Sequence, residues 1–239
     1  MRGGAKEFGP QLLLDRDIIL VTVNYRLGAL GFLSTEDEAI SGNWGLKDQL
    51  RAIQWIKENA QAFGGNPEKI TVGGVGSGGV SAHLHAMSVL SRRLLYAVIS
   101  MSGTALRPDV PMAKGVARRR ALRIAERLGC VSSNLTSVEA KGCLRSANVE
   151  EILKADNEEG WGPVVEDYVD DIEVAFLEEP PVTTLTNAMT HDLPWLTGFV
   201  KTDGRDRAPG KKNGEATFMT LMSKRLPTHG RSGQKENPL

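Results

Sequence analysis

The chain is predicted to be an α/β protein with a mostly parallel central sheet flanked by helices. Three observations predict it. The first hundred of its 239 residues alternate strand, helix, strand, helix, strand. Residues 17–24 (Asp-Ile-Ile-Leu-Val-Thr-Val-Asn) form an unbroken apolar run rich in β-branched side chains, the pattern of a parallel-sheet strand covered on both faces. Residues 70–90 pass from a β-branched strand through a glycine-crowded turn into an apolar, helix-compatible run.

In chain order, residues 3–9 are turn-like and residues 17–24 are the first strand. Residues 25–42 make a long excursion with turn formers. Residues 44–62 are helical: Leu46, Leu50, Ile53 and Ile56 recur at three- and four-residue spacing, and Lys47, Asp48, Arg51 and Lys57 occupy the other faces. Phe63-Gly64-Gly65-Asn66-Pro67 stops that helix with glycine and proline. Residues 70–72 and 96–100 are strands on either side of a helix over 80–90. Residues 113–128 form a helix carrying Arg118, Arg119, Arg120, Arg123 and Arg127, read as a solvated face with a partner patch as the other option. Residues 149–155 are a short helix, 161–165 begin an extended piece, and 193–200 read as a further strand. From Gly204 the chain turns polar and glycine-rich, and residues 228–239 lack periodicity, as in a disordered or non-native tail. The expected division is one domain over 1–208 and an aperiodic tail over 209–239.

Composition narrows the function. Lys+Arg and Asp+Glu are balanced at 29 each, which gives no ground for a nucleic-acid or anionic-membrane partner. No apolar run reaches the length of a transmembrane segment. The start, Met1-Arg2-Gly3-Gly4, has no apolar core of a signal peptide. The two cysteines, Cys130 and Cys143, admit either one short loop or two free thiols, and Asn134-Leu135-Thr136 between them is an N-glycosylation sequon. No cofactor or metal is expected.

The stretch Ile70-Thr71-Val72-Gly73-Gly74-Val75-Gly76-Ser77-Gly78-Gly79 approximates a nucleophile elbow, G-x-S-x-G, where a strand reverses sharply into a helix. Two registers stay open on the residues alone. With Gly74 and Gly78 as the flanking glycines, the apex is Gly76 and carries no side chain. With Ser77 as the apex, a hydroxyl is present but bulky Val75 stands at the leading glycine position. A phosphate cradle of the G-x-G-x-x-G kind and a ligand-free tight turn are the bland readings of the same residues.

A series of further motifs runs along the chain in order: Val21-Thr22-Val23-Asn24-Tyr25-Arg26-Leu27-Gly28, Gly31-Phe32-Leu33, Gly42-Asn43-Trp44-Gly45-Leu46-Lys47-Asp48-Gln49, Trp55-Ile56-Lys57-Glu58-Asn59, Ser102-Gly103, Cys143-Leu144-Arg145, Pro163-Val164-Val165-Glu166 and Leu193-Pro194-Trp195-Leu196-Thr197-Gly198. With these motifs the chain resembles the type-B carboxylesterases, the α/β-hydrolase group that includes cholinesterases, juvenile hormone esterases and cholinesterase-like adhesion proteins. The resemblance covers roughly residues 8–208 and implies an α/β-hydrolase fold incomplete at both ends.

The resemblance also chooses a register, since the family's catalytic serine falls on Gly76. The triad acid falls on Asp203, and the family histidine lies beyond the matched part. His83, His85, His191 and His229 match no catalytic histidine. Arg2-Gly3-Gly4-Ala5 is either a remnant of the oxyanion-hole motif, with Gly4 and Ala5 as donors, or a chance glycine pair. The backbone N–H of Ser77 would be a further oxyanion donor. Ser102 matches a serine near the triad acid. Cys130 and Cys143 match a family disulfide, and Arg26, Asp48 and Glu58 match charges tied into ion pairs. The resemblance thus implies a carboxylic ester hydrolase degraded to an inactive pseudoenzyme or fragment, in an extracellular setting. Two alternatives stand beside it. One is a weak esterase on a small-molecule ester, using Ser77. The other is a non-catalytic, adhesion-like protein with a protein partner.

Overall fold

The computed structural model describes residues 9–130, 135–157, 160–169, 175–187, 193–201 and 203. Contacts divide the chain into two units, Met1–Gly198 and Phe199–Leu239. Among the described residues of the first lie three strands, β1 (Thr71–Val75), β2 (Ala97–Met101) and β3 (Trp195–Gly198). The helices are α1 (Gln11–Leu14), α2 (Gly28–Phe32), α3 (Trp44–Asn59), α4 (Ser77–Met87), α5 (Val116–Arg127), α6 (Ser137–Ser146), α7 (Val149–Ala155) and α8 (Pro181–Thr186).

The sheet order is β1-β2-β3 and both pairings are parallel. Thr71 pairs with Ala97 and Val75 with Met101, while Val98 pairs with Trp195 and Met101 with Gly198. Parallel neighbours need a crossover, and α4 supplies the one between β1 and β2. Its Val80, Leu84 and Met87 face the main core, with Phe32 of α2, Leu46 and Leu50 of α3, and Ile124 of α5. Ala82 turns the other way, into a smaller cluster with Ile53, Leu95 and Val98. A helix apolar on more than one side suits a position between two packed layers.

Residues 17–24, expected as a central strand, are not one. None of the backbone groups of 18–24 makes a backbone hydrogen bond among the described residues, and Ile18, Ile19, Leu20 and Val21 remain 36–48% exposed. A β-branched apolar run shows readiness for burial, but a strand also needs a ladder, and no described strand runs beside it. The segment is held at its end. The backbone N–H, Nε and Nη2 of Arg26 all donate to the Asp48 carboxylate, at 3.0, 2.8 and 2.6 Å. Among the described residues Glu58, the third expected ion-pair residue, has no such partner; Lys57 beside it pairs with Glu68 instead.

The extended piece at 161–165 is likewise anchored without a ladder. The Asn43 side chain donates to the Val164 carbonyl at 2.8 Å and accepts from the Val164 N–H at 3.0 Å, mimicking a strand neighbour. Asn43 also donates to Glu166 Oε2, and Lys47 Nζ reaches Glu166 Oε1 at 2.5 Å. The N–H groups of Phe176 and Leu177 also donate to Oε2 of this buried carboxylate, at 2.8 and 3.4 Å.

Helix α6 lies where no helix was expected. Thr136 and Glu139 form a reciprocal capping box at its start, and Asn148 and Glu151 do the same for α7. A disulfide joins Cys130 to Cys143, with Cα atoms 6.1 Å apart, and so ties the end of α5 to α6. The basic helix α5 is capped from afar: Glu36 accepts from the N–H groups of Gly115 and Ala117, the latter at 3.0 Å. A carboxylate there meets both the orphan donors and the positive end of the helix. Its Arg118 is paired with Asp37 at 2.8 Å.

Candidate active site

At the carboxyl end of β1 the chain reverses into α4 through a single residue, Gly76, with φ 58 and ψ −116. That conformation is nearly closed to residues with a Cβ. The Gly76 N–H donates to the Met101 carbonyl at 2.8 Å, which extends the β1–β2 ladder by one residue. The Gly76 carbonyl accepts from Val80 at 3.0 Å, which starts the helix. The apex of the turn is therefore Gly76, and Ser77 is the first residue of the helix.

The glycines around the apex differ in what they permit. A Cβ on Gly74 would stand 2.3 Å from the Gly78 carbonyl carbon, one on Gly79 2.7 Å from the Gly103 oxygen, and one on Gly103 2.0 Å from the Gly76 oxygen. Those three positions exclude a side chain because backbone faces backbone. A Cβ on Gly76 or Gly78 would meet nothing within 4 Å. The apex thus keeps open space where a side chain could stand, although its φ favours glycine. The sequence motif pointed to Gly74 and Gly78. In the Gly76 register it did not mark Gly79 or Gly103, whose constraint comes from contact across the elbow. The helix also starts three residues earlier than its apolar run, because packing overrides the low helix propensity of Gly78 and Gly79.

Helix α4 has no side-chain cap at its N-terminus. The first-turn N–H groups, Ser77 among them, are therefore oriented as anion donors. Ser102 directly follows β2, with φ 53, a left-handed value uncommon for serine. Its N–H donates to the Gly198 carbonyl at 2.8 Å.

Neither described histidine serves Ser77. His83 Nδ1 accepts from the Ala105 N–H at 3.2 Å, and its ring stacks on Trp195 at 4.1 Å. Trp195 Nε1 in turn donates to Ser100 Oγ at 2.5 Å. His85 Nε2 lies 3.0 Å from Gln49 Oε1, so the proton sits on Nε2, and the ring packs edge-on against Phe176. Burial lowers the pKa of His83 to about 4 and that of His85 to about 3. Both imidazoles are neutral wedges inside the fold.

Asp203 belongs to the second unit, where its Oδ2 accepts from the Val200 N–H at 3.0 Å and its own N–H donates to the Val200 carbonyl at 3.1 Å. Gly4, Ala5, Asn134, His191 and His229 lie outside the described residues. A feature not read from the sequence is a buried polar chain behind the elbow, in which Gln49 Nε2 donates to Ser81 Oγ at 3.4 Å while Gln49 Oε1 accepts from His85 Nε2 at 3.0 Å. Burial raises the Tyr25 hydroxyl pKa, so it stays protonated.

Comparison with known proteins bears on the whole arrangement. The model of the carboxylesterase family matches residues 1–229. A carboxylic ester hydrolase of Bombus ignitus is 38% identical over 215 residues, which cover 85% of this chain and 38% of the relative. The juvenile hormone esterase of Tribolium castaneum is 34% identical over 231 residues, 93% of this chain and 39% of the relative. The crystal structure of juvenile hormone esterase from Manduca sexta, with OTFP covalently attached, matches with a TM-score of 0.71 at 26% identity, over 78% of this chain and 36% of that one. The chain spans less than two fifths of the length of these curated relatives. Its parallel sheet with flanking helices is part of an α/β-hydrolase fold. The chain belongs to the carboxylesterase family.

Proposed function

We propose that this chain is a catalytically silent member of the carboxylesterase family, retaining the scaffold of an ester site without its chemistry. The observation that carries this reading is Gly76, at the apex of the elbow with φ 58 and no atom within 4 Å of where a side chain would begin. In an intact triad a serine there attacks the ester carbonyl, histidine moves the proton and an acid orients the histidine. Here the attacking oxygen is missing and His83 and His85 are committed to Ala105, Trp195 and Gln49. On this reading Asp203 holds the acid position and Ser77 the oxyanion-donor position. Loss of the nucleophile alone costs on the order of 10⁶ in kcat in a serine protease. The ligand class is a small carboxylic ester or its acid, the setting is extracellular, and the Cys130–Cys143 disulfide supports that setting.

The test is the intact mass of the 239-residue chain after exposure to a fluorophosphonate, followed by turnover of p-nitrophenyl acetate. No adduct and no turnover above buffer are expected. A single adduct mapping to Ser77, with turnover abolished by Ser77→Ala, would replace this reading with that of a weak esterase. No observation in the structure favours the adhesion-like reading specifically.

A further inference from the structure

Away from the elbow, an open groove of about 470 Å³ runs between α2, the start of α3, α6 and α7. Its size falls within the range of roughly 300–1,000 Å³ usual for small-molecule sites. Ala29, Leu33 and Leu144 form a buried apolar floor, and Leu30 and Ile152 continue the lining. The Trp44 ring lines it as well.

The polar lining is all cationic. Arg26, Lys141 and Arg145 border the groove, and among the described residues no carboxylate does. Arg26 is already neutralised by the bidentate Asp48. Lys141 and Arg145 stand four residues apart on α6, one turn above the other on the face that carries Leu144. Among the described residues neither has an ion pair. Two unneutralised cations beside an apolar trough complement one anionic head with a hydrocarbon tail.

We infer that this groove binds a single-chain fatty carboxylate, with Lys141 and Arg145 holding the carboxylate and the floor of Ala29, Leu33 and Leu144 holding the chain. The site is independent of Gly76, so it stands whether or not the elbow is silent.

The test is a fluorescence titration of the 239-residue chain with 11-(dansylamino)undecanoate below its micellar concentration. Saturable one-site binding is expected, displaced by dodecanoate and not by dodecanol. Lys141→Glu with Arg145→Glu should weaken it at least about tenfold, the size of one charge-assisted contact. Arg51→Glu with Arg93→Glu, which makes the same charge change on exposed residues outside the groove, should leave it within about twofold. Both pairs lie outside the buried core, and circular dichroism checks that they fold. Equal displacement by dodecanol would show that the head is not read. Equal weakening by the control pair would show non-specific charge attraction. Binding only to vesicles of anionic lipid would assign the surface to a bilayer. Each of these three results overturns the inference.

Discussion

Gly103 lies against the backbone of Gly76: a Cβ at position 103 would stand 2.0 Å from the Gly76 carbonyl oxygen. That oxygen accepts the bond from Val80 that starts α4, so it cannot move without opening the helix. Gly103→Ala should therefore destabilise the chain by about 1–3 kcal/mol or more, as overpacking against backbone does. Gly78→Ala, in the same elbow, meets nothing within 4 Å and removes glycine from a helix. It should leave stability unchanged or raise it by roughly 0.4–1 kcal/mol. Urea denaturation of the two variants side by side decides the matter; equal effects would mean that the elbow does not depend on this contact.

Gly76→Ser should fold, since the space at the apex is open, but at the cost of holding a non-glycine residue at φ 58 and ψ −116. That strain is of order 1–3 kcal/mol, and a chain of this size loses about 2–4 °C of melting temperature per kcal/mol. Turnover of p-nitrophenyl acetate should stay near background, because His83 and His85 are buried and held by Ala105, Trp195 and Gln49. A rise of several orders of magnitude would mean that a competent base is present and that only the nucleophile had been lost.

The parts legible in the sequence were those with a local signal. Helix α3 announced itself by Leu46, Leu50 and Ile53, and the elbow by glycines after a β-branched strand. Helix α6 was legible only from Thr136 and Glu139, which stand in capping-box order, a signal weaker than periodicity. Residues 17–24 misled because composition reports the wish for burial and not the neighbour that provides it. Long-range contacts had no signal at all. Nothing near Glu36 marks it as the cap of a helix about 80 residues later, and nothing near Gly103 says that it faces Gly76. In the candidate site the apex could be placed from spacing and resemblance, whereas the commitment of both histidines to Trp195, Ala105 and Gln49 required the fold.

Glu166 is fully buried and collects Lys47, the Asn43 side chain and the Phe176 N–H. Removing one partner of a buried pair costs about 3–5 kcal/mol, because the other polar groups are left unanswered. Glu166→Ala should lower stability by that order, with the connection from α3 to Val164 and Phe176 opening first. Hydrogen exchange at Phe176, whose amide is bound by the carboxylate, gives a local reading. Protection of that amide unchanged in the variant would show that the carboxylate does not hold this segment.

His83 and His85 set the pH response. In the unfolded chain their pKa is near 6.5; burial lowers the folded values to about 4 and about 3. Between pH 6.5 and those values the unfolded state binds protons that the folded state refuses. The stabilising contribution is therefore complete above pH 6.5 and is lost as pH falls toward 4 for His83 and 3 for His85. The slope is about 1.4 kcal/mol per pH unit for each histidine, so going from pH 6.5 to 5 should cost roughly 2 kcal/mol apiece. Asp48, lowered by its hydrogen bonds from Arg26, loses its contribution only as pH falls below the ordinary carboxylate range, outside this window. Glu178, raised by burial near the surface, acts in the opposite sense and weakly. Urea midpoints at pH 6.5 and 5 measure the slope, and His85→Gln should remove about half of it. A midpoint that does not move across this window would mean that the two imidazoles stay accessible to protons in the folded chain, and they would then again be candidates for the missing base.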